Sequence, residues 1–139
     1  MVKQLSVFME NKPGRLFNLT NTLGKEGLDL VTLSIADTRD YGIVRLIARD
    51  NDRAYQVLKT AGFAVEQTEL IGIEVPDVPN ALADVIGLLE SENINIEYLY
   101  SFALTEFNSA KILLKVAETE QTIKLFESKG IKMLSEKIL

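Results

Sequence analysis

The chain repeats itself. When residues 71–99 are laid under residues 5–33, the apolar positions coincide: Leu5/Ile71, Val7/Ile73, Met9/Val75, Leu16/Leu82, Leu19/Val85, Leu23/Leu89, Leu28/Ile94, Leu30/Ile96 and Leu33/Leu99. Pro13/Pro79 and Glu26/Glu92 fall in the same register. After a loop two residues longer in the second copy, the match resumes with Val44/Ile112, Leu46/Leu114, Leu58/Phe126, Gly62/Gly130 and Phe63/Ile131. A period of about seventy residues exceeds a solenoid unit and suits a small domain. The sequence therefore predicts two like domains in tandem, 1–69 and 70–139. Function is expected where such domains meet.

Residue types narrow the chemistry. The chain has no His and no Cys, so it offers no imidazole base, no thiolate nucleophile and no familiar zinc cage. No metal site and no cofactor are expected. A net charge of −5 without a Lys/Arg cluster disfavours nucleic-acid binding, which wants a basic stripe. No run approaches the roughly eighteen apolar residues that suggest a membrane span. The opening MVKQLSVFMENKPG lacks a charged leader followed by an apolar stretch, so a cytoplasmic location is the expectation.

Each copy reads as strand, helix, strand, strand, helix, strand. Lys3–Met9 alternates apolar Leu5, Val7 and Met9 with polar or small neighbours, the period of a half-buried strand, and Phe8 breaks that alternation. Pro13 is expected at or near the first helical position. Leu16, Leu19, Thr20 and Leu23 recur at helical spacing, and Gly27 stands where a left-handed residue commonly ends a helix. Asn93, the other residue type that tolerates positive φ, occupies the equivalent place in the second copy. Leu28–Ala36 and Tyr41–Arg49 are expected strands joined by Asp37–Asp40. Asp50, Asn51 and Asp52 offer N-cap candidates for a helix carrying Ala54, Val57, Leu58 and Ala61, ended by Gly62 before a strand Phe63–Leu70. The second copy gives Leu70–Val75, Asn80–Ser91, Ile94–Leu104, Ala110–Val116, Glu120–Lys129 and Ile131–Lys137.

Between the copies there is hardly a turn signal. Ala64–Val75 can run unbroken, with Gly72 its only interruption, so that the domains share or exchange strands; a tight bend near Thr68–Glu69 fits equally well. A βαββαβ order buries two helices against one face of a four-stranded antiparallel sheet, an α+β ferredoxin-like plan. The opposite face is left open. Apolar residues off the helix-facing register, as in Leu30–Val31 and Ile112–Leu113–Leu114, must then meet another subunit, a sheet edge or the sister domain, and a homodimer, or at least a tight intrachain pair, is expected.

The segment Met9-Glu10-Asn11-Lys12-Pro13-Gly14-Arg15-Leu16, continuing to Leu23-Gly24-Lys25-Glu26-Gly27-Leu28-Asp29-Leu30, resembles the signature of the ACT-domain family. The second copy, Val75-Pro76-Asp77-Val78-Pro79-Asn80-Ala81-Leu82 through Asn93-Ile94-Asn95-Ile96, is similar, with Asn80 where the family has Gly. The two copies cover nearly the whole chain. The resemblance implies a stand-alone tandem of small modules that bind amino acids and regulate amino-acid metabolism. Ligands would lie at an interface, one domain's first loop facing another's second strand. The residues so implicated are Asn11, Pro13, Gly14, Arg15, Leu16 and Asp29, with Asp77, Pro79, Asn80, Ala81 and Asn95 in the second copy.

Physical chemistry points to the same loop. A helix N-terminus offers free N–H groups and a dipole that attract a carboxylate. Gly14 lets a ligand approach the backbone, Asn11 can accept from the helix N–H groups or hold an ammonium, and a Cβ at Asn80 narrows the second approach. An Asn-x-Pro-Gly sequence also starts many helices for conformational reasons alone. The leading function is a non-catalytic sensor of a small amino acid or analogue. The alternative is a ligand-independent scaffolding subunit docking on an amino-acid-metabolism enzyme. Catalysis is disfavoured, since carboxylates such as Asp37 and Asp40 lie in a loop with no apolar enclosure. Tyr98, Tyr100, Phe102 and Phe107 read as strand or core aromatics before pocket residues.

Overall fold

A computed structural model describes residues 1–37, 39–102 and 109–135. The chain runs β1 (Val2–Glu10), α1 (Arg15–Lys25), β2 (Leu30–Asp37), β3 (Tyr41–Ala48), α2 (Asn51–Thr60), β4 (Ala64–Pro76), α3 (Ala81–Ser91), β5 (Ile96–Phe102), β6 (Ser109–Val116), α4 (Thr119–Ser128) and β7 (Lys132–Met133). It divides into two compact units: the first is Lys3–Thr68, and the second is Met1–Val2 with the chain from Glu69 onward. Strand order is β2-β3-β1-β4 in the first unit and β5-β6-β4-β7 in the second. The β1–β3, β2–β3, β4–β6, β4–β7 and β5–β6 pairings are antiparallel, so each unit fits the ferredoxin-like plan.

The two cores occupy equivalent positions. Leu5, Val7, Leu19, Leu23, Leu28, Val44, Leu46, Ala48, Ala54 and Leu58 are buried together in the first unit. Ile71, Ile73, Val75, Val85, Leu89, Ile94, Ile112, Leu114, Val116 and Phe126 do the same in the second. Cross-strand partners explain the match: Leu5 faces Leu46 and Val7 faces Val44, while Ile71 faces Leu114 and Ile73 faces Ile112. Leu19 and Leu23, one helical turn apart, close over that row as Val85 and Leu89 do in the other unit.

The four helices among the described residues end alike. At α1 the Leu28 N–H donates to Leu23 O (3.1 Å) and Gly27 N–H to Gly24 O (3.0 Å), with Gly27 at φ 69°. The same pair of bonds closes α2 at Gly62, α3 at Asn93 (φ 55°) and α4 at Gly130. This is the Schellman arrangement, and it satisfies carbonyls that the last turn leaves without partners. Asn93 thus takes the positive φ that its alignment with Gly27 required. At the start of α2 the Asp50 carboxylate accepts from Arg53 N–H (3.1 Å), as its N-cap position suggested.

Some boundaries differ from those read in the sequence. The second strand of each copy starts at Leu30 and Ile96, because Leu28 and Ile94 are used in closing the preceding helix. The last strand shortens to Lys132–Met133, while the expected residues 103, 104, 136 and 137 lie outside the described ones. Between the copies no bend occurs at Thr68–Glu69: β4 is one strand of 13 residues, its early part in the first unit and the rest in the second.

Gly72 does not break that strand. A Cβ there would lie 3.0 Å from Leu134 Cβ, 3.1 Å from Val2 Cγ2 and 3.3 Å from Leu113 Cδ2. Leu134 cannot step back freely, because its N–H donates to Gly72 O at 2.8 Å. The glycine is therefore a packing requirement. Gly72→Ala is expected to cost about 1–3 kcal/mol, the usual penalty for overfilling a packed interior, read as a lower urea midpoint at unchanged slope.

Candidate functional site

The implicated loop is a tight turn between β1 and α1. Arg15 N–H donates to Lys12 O at 3.3 Å, and Gly14 sits at φ 88°, ψ −15°. Lys12-Pro13-Gly14-Arg15 is thus a type II turn, with proline at its second position and the left-handed residue at its third. The second copy repeats it: Ala81 N–H donates to Val78 O at 3.3 Å and Asn80 adopts φ 71°, ψ −9°. Asn11 N–H donates to Asp40 O (2.9 Å), which ties the first turn to the β2–β3 connection.

This geometry moves Pro13 outside the helix. The N-cap is Gly14 and the first helical residue is Arg15, so the proline belongs to the turn. No side chain caps α1 or α3, so neither Asn11 nor Asp77 accepts from the helix N–H groups. The early N–H groups of α1 consequently have no side-chain acceptor, and its first turn holds no acidic residue. The helix dipole therefore favours an anion there. Asp84 occupies the first turn of α3 and makes that entrance less welcoming to a carboxylate.

The glycine at the turn answers a conformational demand. A Cβ on Gly14 would meet nothing within 4 Å, so space does not exclude a side chain; the positive φ does. Asn80 fills the same conformation as the best-tolerated alternative.

Charges at the turn are arranged locally. Lys12 Nζ lies 2.8 Å from Glu10 Oε2, and this hydrogen bond, followed by the Lys12 charge, lowers the Glu10 pKa below its ordinary 4.5, with Arg15 adding to the effect. The Glu10 carboxylate thus stays ionised further into acid. Its small stabilising effect is present above the ordinary pKa and is lost as pH falls through the lowered value. Asp52, hydrogen-bonded to Gln67 and Lys3, and Glu74, hydrogen-bonded to Lys132 and Ser109, shift in the same direction.

The predicted residues separate into two groups. Asn11, Pro13, Gly14, Arg15 and Leu16 come together at the start of α1, as Asp77, Pro79, Asn80 and Ala81 do at α3. Asp29 lies at the opposite end of α1, which at 11 residues spans about 16 Å. It precedes β2, its carboxylate 3.1 Å from Arg49 Nε and its carbonyl accepting from Arg49 N–H. Asn95 matches it behind α3, its carbonyl accepting from Ala117 N–H at 3.1 Å. Within one unit, neither Asp29 nor Asn95 reaches the turn. Asn11, Pro13, Gly14 and Arg15 are exposed, and Leu16 is half-buried.

Beside the first turn lies a cleft of about 450 Å³, whose lining includes Phe8, Met9, Glu10, Arg15, Tyr41 and Phe63. Of its aromatics, Phe8 spoils the β1 alternation in the sequence, while Phe63 and Tyr41 read there only as strand starts. Tyr98 and Tyr100 are half-buried on β5, opposite Lys115 and Leu113, and Phe107 lies outside the described residues. Among the described residues no cluster of carboxylates suits a metal ion, and no helix is long and apolar enough to cross a membrane.

Comparison with known proteins adds one family and several folds. The family model of an ACT domain pair matches residues 1–139. A crystal structure of a Bacteroides thetaiotaomicron protein is 43% identical, covers 97% of this chain and 92% of its own, and has a TM-score of 0.90. The regulatory subunit of aspartate kinase from Thermus thermophilus, solved ligand-free, is 13% identical with a TM-score of 0.63, covering 91% of both chains. The regulatory subunit of aspartate kinase from Thermus flavus is 14% identical with a TM-score of 0.60, covering 91% of this chain and 90% of that one. These last two establish likeness of fold. No curated protein matches.

The turn makes a conformational prediction that separates φ from space. Gly14→Ala is expected to cost about 1–2 kcal/mol of stability, the penalty of a Cβ in left-handed geometry. Gly14→Asn, which copies the Asn80 turn, is expected to cost clearly less, and thermal melts of both variants check the order.

Proposed function

The chain belongs to the family of ACT domain pairs, regulatory modules that bind amino acids, and on that premise we propose that it is a non-catalytic sensor of a free amino acid. The ligand carboxylate rests at the Lys12–Leu16 turn, against the uncapped start of α1 with Arg15 beside it. The observation that carries this reading is that missing cap, in a helix whose first turn also lacks acidic residues. Glu10, at the end of β1 and paired with Lys12, and Asn11 precede the turn as acceptors for an ammonium. Sensing requires the ligand to bind one state of the assembly more tightly than another, since equal affinity shifts nothing.

A ligand on so exposed a turn is enclosed only if another surface closes over it, and this favours assembly. β2 is the edge strand of its unit, with unpaired backbone groups along one side. On it Leu33 and Ile35 remain 43% and 53% exposed, although they share a face with the buried Leu46 and Val44. We assign this edge to a homodimer in which the partner's β2 brings a second module to the turn. The same edge would serve the alternative, docking on an amino-acid-metabolism enzyme.

Two measurements test the proposal. Titration calorimetry against the twenty amino acids is expected to give heat for at least one at millimolar concentration or below, and silence with all of them ends the sensor reading. Light scattering on eluted protein is expected to show a dimer for the native chain and a monomer for Leu33→Glu/Ile35→Lys. A native monomer refutes the edge assignment.

A further inference from the structure

The two units share a fold but differ beside the turn. In the first unit Phe8 and Tyr41 are 42% and 63% exposed, and with Met9 and Phe63 they form the apolar part of the 450 Å³ cleft. Glu10 and Arg15, of opposite charge, also line it. That volume falls within the range of small-molecule sites, and the open cleft mixes apolar rings with polar and charged surface in comparable measure.

The repeat identifies what stands at the same places in the second unit. Phe8 corresponds to Glu74 and Ala64, also in the cleft lining, to Lys132. Glu74 and Lys132 are register partners on β4 and β7, and they form an ion pair of 2.9 Å. Glu10, Arg15 and Tyr41 are replaced by Pro76, Ala81 and Ser109. The second unit therefore has an ion pair where the first has a ring beside a methyl, and it lacks both charges that could meet a zwitterion.

We infer that the cleft of the first unit selects the side chain of the sensed amino acid, and that the ligand is a free α-amino acid with a sizeable apolar side chain, bound once per chain. The inference rests on the sensor reading above and deepens it. Arg15 meets the α-carboxylate and Glu10 the α-ammonium, while the side chain lies along Phe8, Met9, Tyr41 and Phe63. Charge complementarity decides for this occupant over a bare hydrocarbon, which would offer Arg15 no anion; Glu10, already bonded by Lys12 at 2.8 Å, takes the ammonium as a second donor.

Calorimetry on the full chain with L-phenylalanine, L-leucine, L-methionine, glycine and L-serine is the test. One of the three apolar amino acids is expected to bind at least about tenfold more tightly than glycine or serine, the effect of burying a few methylenes, with one site per chain. Phe8→Glu/Ala64→Lys, which copies the Glu74–Lys132 pair, is expected to weaken that binding by at least about tenfold, as loss of the apolar lining demands, while the protein still melts cooperatively. Tyr41→Ala alters an exposed position that the fold does not need. It is expected to weaken the apolar ligand several-fold and leave glycine unchanged, and it decides the matter should the double variant misfold. Binding indifferent to side-chain size, two sites per chain, or an affinity unmoved by Tyr41→Ala overturns the cleft assignment and leaves the sensor standing. Silence with every amino acid overturns both.

Discussion

Left-handed residues at the helix ends govern this architecture. Each helix is closed by one at Gly27, Gly62, Asn93 or Gly130, and two helices are also opened by one at Gly14 or Asn80. A residue at positive φ lets the chain reverse within a few residues, so that a short helix can pack its apolar stripe back on the strand it has just left. Without those reversals Leu19 and Leu23 would not meet Leu5 and Val7, nor Val85 and Leu89 meet Ile71 and Ile73.

The same constraint leaves two helix starts uncapped. A helix begun by an Asp or Ser cap satisfies its own first N–H groups, as α2 does through Asp50. A helix entered through a type II turn has glycine or asparagine in left-handed geometry at the cap, where the side chain does not fold back on the helix. α1 and α3 are entered in this way, so their donors stay available. Turn geometry and the uncapped helix start are therefore one property of the sequence Lys12-Pro13-Gly14-Arg15.

Duplication preserved the cores while the surface beside the turn diverged. Core positions tolerate best exchanges of similar volume, as at Leu5/Ile71. The sheet end at Phe8 and Glu74 is less constrained, and there one unit carries aromatic rings and the other an ion pair. A repeated fold need not mean a repeated site.

The amino-acid sequence was enough to reveal the duplication, the element order and both cores, because apolar periodicity records burial and Gly, Asn and Pro record backbone geometry. The ACT signature likewise drew attention to the β1–α1 turn. Other features depended on residues far apart in the chain. Gly72 reads only as an interruption in a strand until Val2 and Leu134 are seen against it, and Pro13 reads as at or near the helix start until Gly14 takes the cap. Asp29 stands at the far end of α1 from the turn of its own unit. The cleft was hidden for the same reason: Phe8, Tyr41 and Phe63 become neighbours only when three strands and a helix end converge, and one-dimensional spacing does not encode that convergence.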